Sequence, residues 1–305
     1  MATLETDQAK SAPVAPARAW LLAARPRTLP VAVAPVLVGT AVAASSGEAR
    51  LGPALAALLG ALLLQIISNF ANDVFDHEQG ADGDDRVGPP RACQMGWLSP
   101  RQMRAGILLT VVLALGVGLY LASVAGWPVI AAGLLSIAAA LAYTGGPWPF
   151  GYKGLGEVAV FVFFGVVAVV GTDYVQTLQL SGQALAASCG VGALASAILV
   201  VNNIRDMDSD RAVGKRTLAV RLGRHGARWE YRLLLASAYA LLPAYALLPG
   251  RSLWVLLPLL TLPLAWGLHR VVSQTTEGAA LNQALAGSAR LTLIYSLLLA
   301  LGWIC

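Results

Sequence analysis

Apolar stretches of about 18 to 20 residues recur along the chain, and short polar segments separate most of them. A helix of about this length spans the hydrocarbon core of a bilayer, and membrane bundles tolerate Pro inside such helices. No stretch alternates strictly between polar and apolar residues, as the strands of a membrane barrel do. The pattern therefore predicts an all-α integral membrane protein. We expect nine transmembrane helices, near residues 29–46, 51–71, 105–124, 128–144, 155–173, 184–203, 233–249, 252–268 and 287–304.

Composition supports this interpretation. The chain has 305 residues, of which 57% are hydrophobic and 12% charged, whereas a soluble domain carries about 25% charged residues. The segment 1–18 lacks the basic and apolar regions of a signal peptide, so we expect a disordered cytosolic tail there. We expect a single transmembrane domain over 19–305. The three cysteines are scattered without metal-ligand spacing, and their odd number argues against a disulfide framework.

The distribution of Lys and Arg predicts the orientation. With nine spans and a cytoplasmic N-terminus, all 21 Lys and Arg residues except Arg50 and Arg251 fall in the tail or in cytoplasmic segments. Positive residues concentrate on the cytoplasmic side of membrane proteins. The sequence thus predicts a multi-pass protein whose two long polar loops, after the second and sixth helices, face the cytoplasm. A bacterial inner membrane is the expected location.

These two loops begin with related motifs. The first is "NFANDVFD" at 69–76, and the second is "NNIRDMDSD" at 202–210. In each, an Asn precedes an Asp by four residues, and further acids, a Gly and basic residues follow. The similarity indicates an approximate internal repeat, in which the two motifs face each other as pseudo-equivalent aspartate-rich loops.

Helical spacing places the acids of each motif on one helix face, because residues three or four apart are neighbours on a helix. Carboxylates at a membrane boundary are costly without a partner, and a divalent cation would offset that cost. The ligands are oxygens without a His or Cys cluster, which favours Mg²⁺. The catalytic acids predicted are Asp73, Asp76, Asp206 and Asp210. The same four, with the neutral oxygens of Asn69 and Asn202 one turn earlier, are the predicted metal ligands.

Mg²⁺ completes its coordination shell with water and substrate phosphates, so two facing sites would clamp a diphosphate. Nearby cations would stabilise the departing phosphate charge. They are Arg86, Arg91, Lys153, Arg211, Lys215 and Arg216. The alternative is that the acids are solvated loop charges and the cations are positive-inside anchors.

At these motifs the chain resembles the UbiA superfamily of intramembrane prenyltransferases, and the resemblance covers nearly the whole chain. Within the superfamily it is most similar to the branch that prenylates 1,4-dihydroxy-2-naphthoate in menaquinone synthesis. The stretches that carry this closer similarity are "RPRTLPVAVAPVLVG", "GADGDDRVGP", "GYKGLGEVAVFVFFG" and "GTDYVQT".

The resemblance implies a nine-helix fold and a Mg²⁺-dependent prenyl transfer. A polyprenyl diphosphate would be held between the two aspartate motifs, and its departure would leave an allylic cation. The ring of 1,4-dihydroxy-2-naphthoate would attack this cation and lose CO₂, giving a demethylmenaquinone. No nucleic acid is expected as a partner.

Further residues have two interpretations each. Asn72 and Asn203 either bind substrate or cap helices, and Arg27 either reaches the site or anchors the first helix. Glu157 either orients the acceptor's hydroxyls or complements the positive end of a helix. Tyr143 either stabilises the cation with its ring or is an interfacial tyrosine.

Other functions remain open at this point. Another member of the superfamily would use 4-hydroxybenzoate or homogentisate as acceptor, or a phytyl donor. A membrane transporter is the alternative of a different class. Transporters place charges near the membrane midplane, whereas here the acids follow the helices at one face only, which favours the enzyme.

Overall fold

All regular secondary structure in the described residues is helical. The computed structural model describes residues 14–81, 83 and 87–305. The α-helices in chain order are α1 Pro16–Ala24, α2 Leu29–Ser45, α3 Leu51–Glu78, α4 Pro100–Ala125, α5 Trp127–Ala142, α6 Gly156–Val160, α7 Ala168–Thr177, α8 Gly182–Arg205, α9 Met207–Ala212, α10 Leu218–Ala240, α11 Leu242–Ala246, α12 Leu262–Gln274 and α13 Gly278–Ile304. Short 3₁₀ segments cover Pro26–Thr28, Phe150–Lys153 and Leu253–Thr261, and a π-helix, Phe161–Val167, joins α6 to α7.

Seven helical segments of the described chain are long and apolar enough to cross a membrane. They are Pro16–Ser45, Leu51–Glu78, Pro100–Ala125, Gly156–Thr177, Gly182–Arg205, Leu253–Gln274 and Gly278–Ile304. The shorter helix α5 is apolar as well. The prediction of an all-helical, multi-pass membrane protein is therefore confirmed, whereas the count of nine spans goes beyond this finding.

Helix α8 lies at the centre of the bundle. Its most apolar window is mostly buried, because it is rich in Ala, Gly and Ser and lets its neighbours approach closely. Gly165 of the π-helix lies directly against Gly192 of α8, where an added Cβ on Gly165 would come within 2.7 Å of the Gly192 Cα. The helices α10 and α13 pack on other faces of α8 and share its apolar core.

Both aspartate motifs lie at helix ends. Helix α3 continues to Glu78, so the whole first motif is helical rather than part of a loop. Helix α8 ends at Arg205, Asp206 has a non-helical ψ of 6°, and α9 continues the second motif. The predicted spacing of Asp73 and Asp76 therefore falls on one continuous helix. The predicted spacing of Asp206 and Asp210 begins at the break between α8 and α9.

Several predicted boundaries differ from the structure, among them the start of α13, which lies at Gly278 rather than near 287. Helix α10 begins at Leu218, well before the predicted start at 233, because an amphipathic segment precedes the apolar one. Helix α1 begins at Pro16, so 16–18 of the predicted tail are helical, while residues 1–13 of that tail lie outside the described residues.

Candidate active site

A cavity of about 630 Å³ opens between α2, α3, α4, α5, α7 and α8. One end is polar and contains both signs of charge. The side chains there are Arg25, Asn69, Asn72, Asp76, Arg91, Tyr143, Thr144, Asn202, Asn203 and Lys215. The rest of the lining is mostly apolar and includes small residues such as Gly60, Gly118 and Gly133. A charged group joined to a long hydrocarbon would suit both ends of this cavity.

Asp76 is the carboxylate at the polar end, and it is 2% exposed. Its Oδ1 accepts a hydrogen bond of 2.6 Å from the Tyr152 hydroxyl, and its Oδ2 lies 2.8 Å from Nη1 of Arg91. Burial and the Asp76 carboxylate raise the pKa of the Tyr152 hydroxyl, so Tyr152 keeps its proton and acts as the donor. These two partners fix the orientation of the carboxylate.

Tyr152 also connects the two motifs. The ammonium of Lys215 lies 4.8 Å from the centre of the Tyr152 ring, a cation–π distance. The backbone N–H of Arg216 donates to the Tyr152 carbonyl at 3.0 Å. Lys215 in turn lies 3.4 Å from Oδ1 of Asp210. A single tyrosine thus contacts a carboxylate of the first motif and the basic segment that follows the second.

Asp210 is the carboxylate of the second motif with unused bonding capacity. Its Oδ2 is buried and has no hydrogen-bond partner among the described residues. Burial raises the pKa of the Asp210 carboxyl to about 6, against the lowering effect of Lys215. A buried carboxylate oxygen without a partner is costly, and a cation would remove that cost.

Asp206 is engaged by its neighbour in sequence. Arg205 bonds both of its oxygens, Nε to Oδ1 at 2.7 Å and Nη2 to Oδ2 at 2.6 Å. The same guanidinium reaches Oδ1 of Asn202 and Oδ1 of Asn282, each at 2.8 Å. Asp206 and Asn202, both predicted as metal ligands, thus share one arginine that was not among the predicted site residues.

Asp73 is bonded to the backbone of a following segment. Its Oδ2 accepts from the N–H of Ala92 at 3.0 Å, and its Oδ1 accepts from the N–H of Cys93 at 2.9 Å. It is 1% exposed, and it does not belong to the cavity lining. Asp73 and Asp76 therefore have different surroundings, although both were predicted as ligands of one metal site.

The asparagines of the motifs are also engaged. Asn69 donates to the Ala24 carbonyl at 2.9 Å and to the Thr28 hydroxyl at 3.1 Å, which ties α3 to the end of α1 and to the turn that follows it. Asn72 accepts from the Thr144 hydroxyl at 3.0 Å. Among the described residues, no three His, Cys, Asp or Glu side chains converge as a metal site. A cation held here would need further oxygens from a bound diphosphate, as Mg²⁺ commonly has.

Glu157 and Asn203 form a buried pair beside the cavity. The Asn203 amide donates to Oε1 of Glu157 at 2.7 Å, and Oε2 of Glu157 has no hydrogen-bond partner among the described residues. Glu157 lies in the first turn of α6, as its helix-dipole interpretation required. Tyr143 lines the cavity nearby and packs edge-on against Phe150.

The predicted cations divide into two groups. Arg91 and Lys215 line the cavity. The cations that are exposed and outside its lining are Arg27, Lys153, Arg211 and Arg216. Arg86 lies outside the described residues. Sequence reasoning missed Arg25, which lines the cavity two residues before Arg27. It also missed Tyr152 and Arg205. Each is the immediate sequence neighbour of a predicted residue, Lys153 or Asp206, and this adjacency could have indicated them.

The membrane bundle and its half-polar cavity correspond to a known class of protein. The chain matches the UbiA prenyltransferase family over residues 32–303, and it belongs to that family. The fold agrees, since the structure superposes on a UbiA homologue from Aeropyrum pernix with a TM-score of 0.69 and 17% identity, covering 89% of this chain and 96% of that one. A UbiA homologue from Archaeoglobus fulgidus bound to DMAPP and Mg²⁺ gives a TM-score of 0.64 at 18% identity, covering 91% and 98%.

Closer relatives carry a more specific name. The 1,4-dihydroxy-2-naphthoate octaprenyltransferase of Escherichia coli is 40% identical over 293 residues, covering 93% of this chain and 94% of that protein. The enzyme of the same name from Mycobacterium tuberculosis is 41% identical over 281 residues, covering 92% and 95%. The 2-carboxy-1,4-naphthoquinone phytyltransferase of Synechocystis is 32% identical, covering 87% and 88%.

Proposed function

We propose that this protein transfers a polyprenyl group from an allylic diphosphate to 1,4-dihydroxy-2-naphthoate. The observation that carries the proposal is the cavity, whose polar end combines Asp76, Arg91 and Lys215 while most of the remaining lining is apolar. The names of relatives about 40% identical over nearly the whole chain support the acceptor.

The polar end of the cavity suits a diphosphate. Arg25, Arg91 and Lys215 all line it, and a guanidinium matches phosphate oxygens geometrically. Asp76 and the unpartnered oxygen of Asp210 are hard oxygen ligands, which fit Mg²⁺. When bound, Mg²⁺ would neutralise charge that develops on the departing diphosphate. Arg91 and Lys215 would bind the same charge directly.

The apolar part of the cavity suits the prenyl chain. The C–O bond of the donor breaks, and its electron pair leaves with the diphosphate. Because water would capture the resulting allylic cation, the reaction requires a dry site. Phe163, Phe164 and Tyr143 line the cavity, and their ring faces would stabilise a cation.

Glu157 and Asn203 would orient the acceptor. Asn203 lines the cavity, and Glu157 fixes the orientation of Asn203 by accepting a hydrogen bond from its amide. An acceptor hydroxyl bonded to this pair would present its ring to the cation. The ring carbon forms the new C–C bond, and the carboxylate leaves as CO₂. The product is then the reduced form of a demethylmenaquinone.

The proposal includes nine spans, with α5 and the α10–α11 segment as the two beyond the seven long apolar helices. Lys and Arg concentrate at the end that carries the aspartate motifs, so this end would face the cytoplasm of a bacterial cell. The substrate tail would then lie within the bilayer, and the diphosphate would enter from the cytoplasm.

A product assay tests the proposal. Purified protein is given 1,4-dihydroxy-2-naphthoate and a polyprenyl diphosphate, with Mg²⁺ or with EDTA, and diphosphate release and product mass are followed. We expect a prenylated, decarboxylated product that disappears with EDTA. We expect Asp76→Asn to lose at least about a hundredfold in rate, whereas Asp208→Asn, which removes an exposed acid paired with Arg224, retains activity.

Other outcomes would change the conclusion. Turnover with 4-hydroxybenzoate or homogentisate but not with the naphthoate would keep the diphosphate site and replace the acceptor. A preference for phytyl diphosphate would match the Synechocystis relative's name. A folded protein that turns over no aromatic acceptor and binds no Mg²⁺–diphosphate would refute the proposal and favour a transporter.

A further inference from the structure

An isolated helical turn follows the first motif at residues 91–96. The N–H of Met95 donates to the Arg91 carbonyl at 2.9 Å. The turn ends at Gly96, whose φ of 69° is left-handed. There the N–H of Trp97 donates to the Ala92 carbonyl at 2.9 Å and that of Gly96 to the Cys93 carbonyl at 3.1 Å. This end is a Schellman motif, which satisfies the last carbonyls of a helix.

The start of the turn needs partners from elsewhere. The first N–H groups of a helix have no carbonyl within the helix to bond, and here they belong to Ala92 and Cys93. Both residues are buried, at 1% and 4% exposed, so water cannot accept hydrogen bonds from these N–H groups. The two oxygens of Asp73 accept these N–H groups at 3.0 and 2.9 Å. A carboxylate at this position also complements the positive end of the helical turn.

The turn carries a residue of the diphosphate end at its first position. Arg91 precedes Ala92 directly, lines the cavity, and lies 2.8 Å from Asp76. It also donates to the Asn72 carbonyl. Asp73 and Asp76 thus hold the same segment in two ways. Asp73 bonds its backbone, and Asp76 bonds the guanidinium that it presents.

We propose that Asp73 is a positioning residue that anchors this turn and so directs Arg91 into the cavity. It is not a metal ligand, because both of its oxygens already accept buried N–H groups. This assignment rests on the proposed function only where it concerns the role of Arg91. The anchoring itself is independent of the reaction.

The accessibility of Cys93 tests the anchoring without any activity measurement. In a Cys189→Ala, Cys305→Ser background, Cys93 is the remaining thiol, and maleimide labelling of the detergent-purified protein reports only on this turn. Asn in place of Asp73 can accept one N–H, but its amide N–H₂ would face the other. We expect Asp73→Asn to raise the labelling rate about tenfold or more. Asp73→Ser, which keeps one short acceptor, should give an intermediate rate, and Asp208→Asn should leave it unchanged.

A double-mutant cycle tests whether Asp73 acts through Arg91. We expect Asp73→Asn to lower kcat/KM for the polyprenyl diphosphate by about tenfold in the parent protein, and by less than about twofold when Arg91 is already Ala. The Mg²⁺ concentration that gives half-maximal rate should not change in Asp73→Asn.

Opposite results would overturn the assignment. If Cys93 stays protected in both Asp73 variants, Asp73 does not anchor the turn. If the losses from Asp73→Asn and Arg91→Ala multiply and the Mg²⁺ requirement rises, Asp73 binds the metal directly. If no prenyl transfer is found at all, the labelling result still decides the anchoring, so the two proposals fail separately.

Discussion

Tyr152→Phe is the change that most sharply tests how the two motifs are joined. It removes one hydroxyl and keeps the ring, so the cation–π contact with Lys215 at 4.8 Å remains. What is lost is the 2.6 Å hydrogen bond to Oδ1 of Asp76. The effect of the substitution is therefore confined to the orientation and charge of one carboxylate.

The magnitude follows from the type of bond. Hydrogen bonds to charged groups contribute about 1.5–3 kcal/mol. If that energy holds Asp76 in the arrangement needed for diphosphate to leave the prenyl donor, its loss raises the barrier to that step by the same amount. Since each 1.36 kcal/mol is tenfold in rate, we expect kcat/KM for the polyprenyl diphosphate to fall roughly tenfold to a hundredfold. The apparent Mg²⁺ affinity should fall with it.

The assay is the initial rate of prenylated product across a Mg²⁺ titration. The matched control is Tyr245→Phe, which loses a 2.9 Å bond to the Ala186 carbonyl within the apolar core. This control should lower thermal stability without changing kcat/KM. A Tyr152→Phe enzyme with unchanged kcat/KM and unchanged Mg²⁺ response would show that the hydroxyl does not position Asp76.

Three further predictions concern the site and the fold. Because burial raises the pKa of Asp210 to about 6, its carboxylate takes up a proton as the pH falls through 6. The Mg²⁺ concentration for half-maximal rate should therefore rise below that pH, and a constant value from pH 7 to 5 would exclude Asp210 as a ligand. Gly133 lines the cavity with open space beside it, so Gly133→Phe should shift the preference to shorter prenyl diphosphates, whereas Gly116→Phe, at an exposed position of α4, should not. Gly165→Ala would place a Cβ 2.7 Å from the Gly192 Cα and should cost about 1–3 kcal/mol of stability, seen as a lower thermal midpoint, while Gly182→Ala has open space and should be neutral.

The length of the apolar runs predicted most of the helices, but it did not predict amphipathic helical segments. The run 51–71 predicted α3, but the helix continues to Glu78 because the motif's acids point into the bundle, where they find partners. The run 233–249 located only the last third of α10. The part before it kinks at Gly223, whose φ is 70°, and is polar on one face, yet it buries Ala219, Ala227 and Tyr231. A search for periodic burial would have found it, whereas a search for continuous apolar sequence could not.

The candidate site was predictable where charge is rare, and unpredictable where contacts are distant in sequence. Carboxylates in an apolar chain are conspicuous, which is why Asp73, Asp76, Asp206 and Asp210 were all predicted as site residues. Their partners were not, because Tyr152 meets Asp76 across 76 positions of sequence. Nothing in the local pattern distinguishes Arg25 from Arg27. Only the turn between α1 and α2 directs Arg25 into the cavity.

The repeat suggested by the sequence is not a repeat of contacts. The first acids of the two motifs, Asp73 and Asp206, are bonded to groups of their own end of the bundle, the backbone of a turn and the guanidinium of Arg205. The later acids, Asp76 and Asp210, instead pair with cations that line the cavity, Arg91 and Lys215.

These later ion pairs are both almost fully buried, and buried pairs are weak contributors to stability because desolvation offsets their attraction. Stability alone therefore gives little reason to keep two of them at one end of an apolar cavity. A site that must hold a diphosphate needs cations to bind the anion and carboxylates to bind a metal. It also needs both sets neutralised while no substrate is present. Pairing Arg91 with Asp76 and Lys215 with Asp210 meets all of these requirements, so the arrangement of the later acid of each motif fits the proposed diphosphate site.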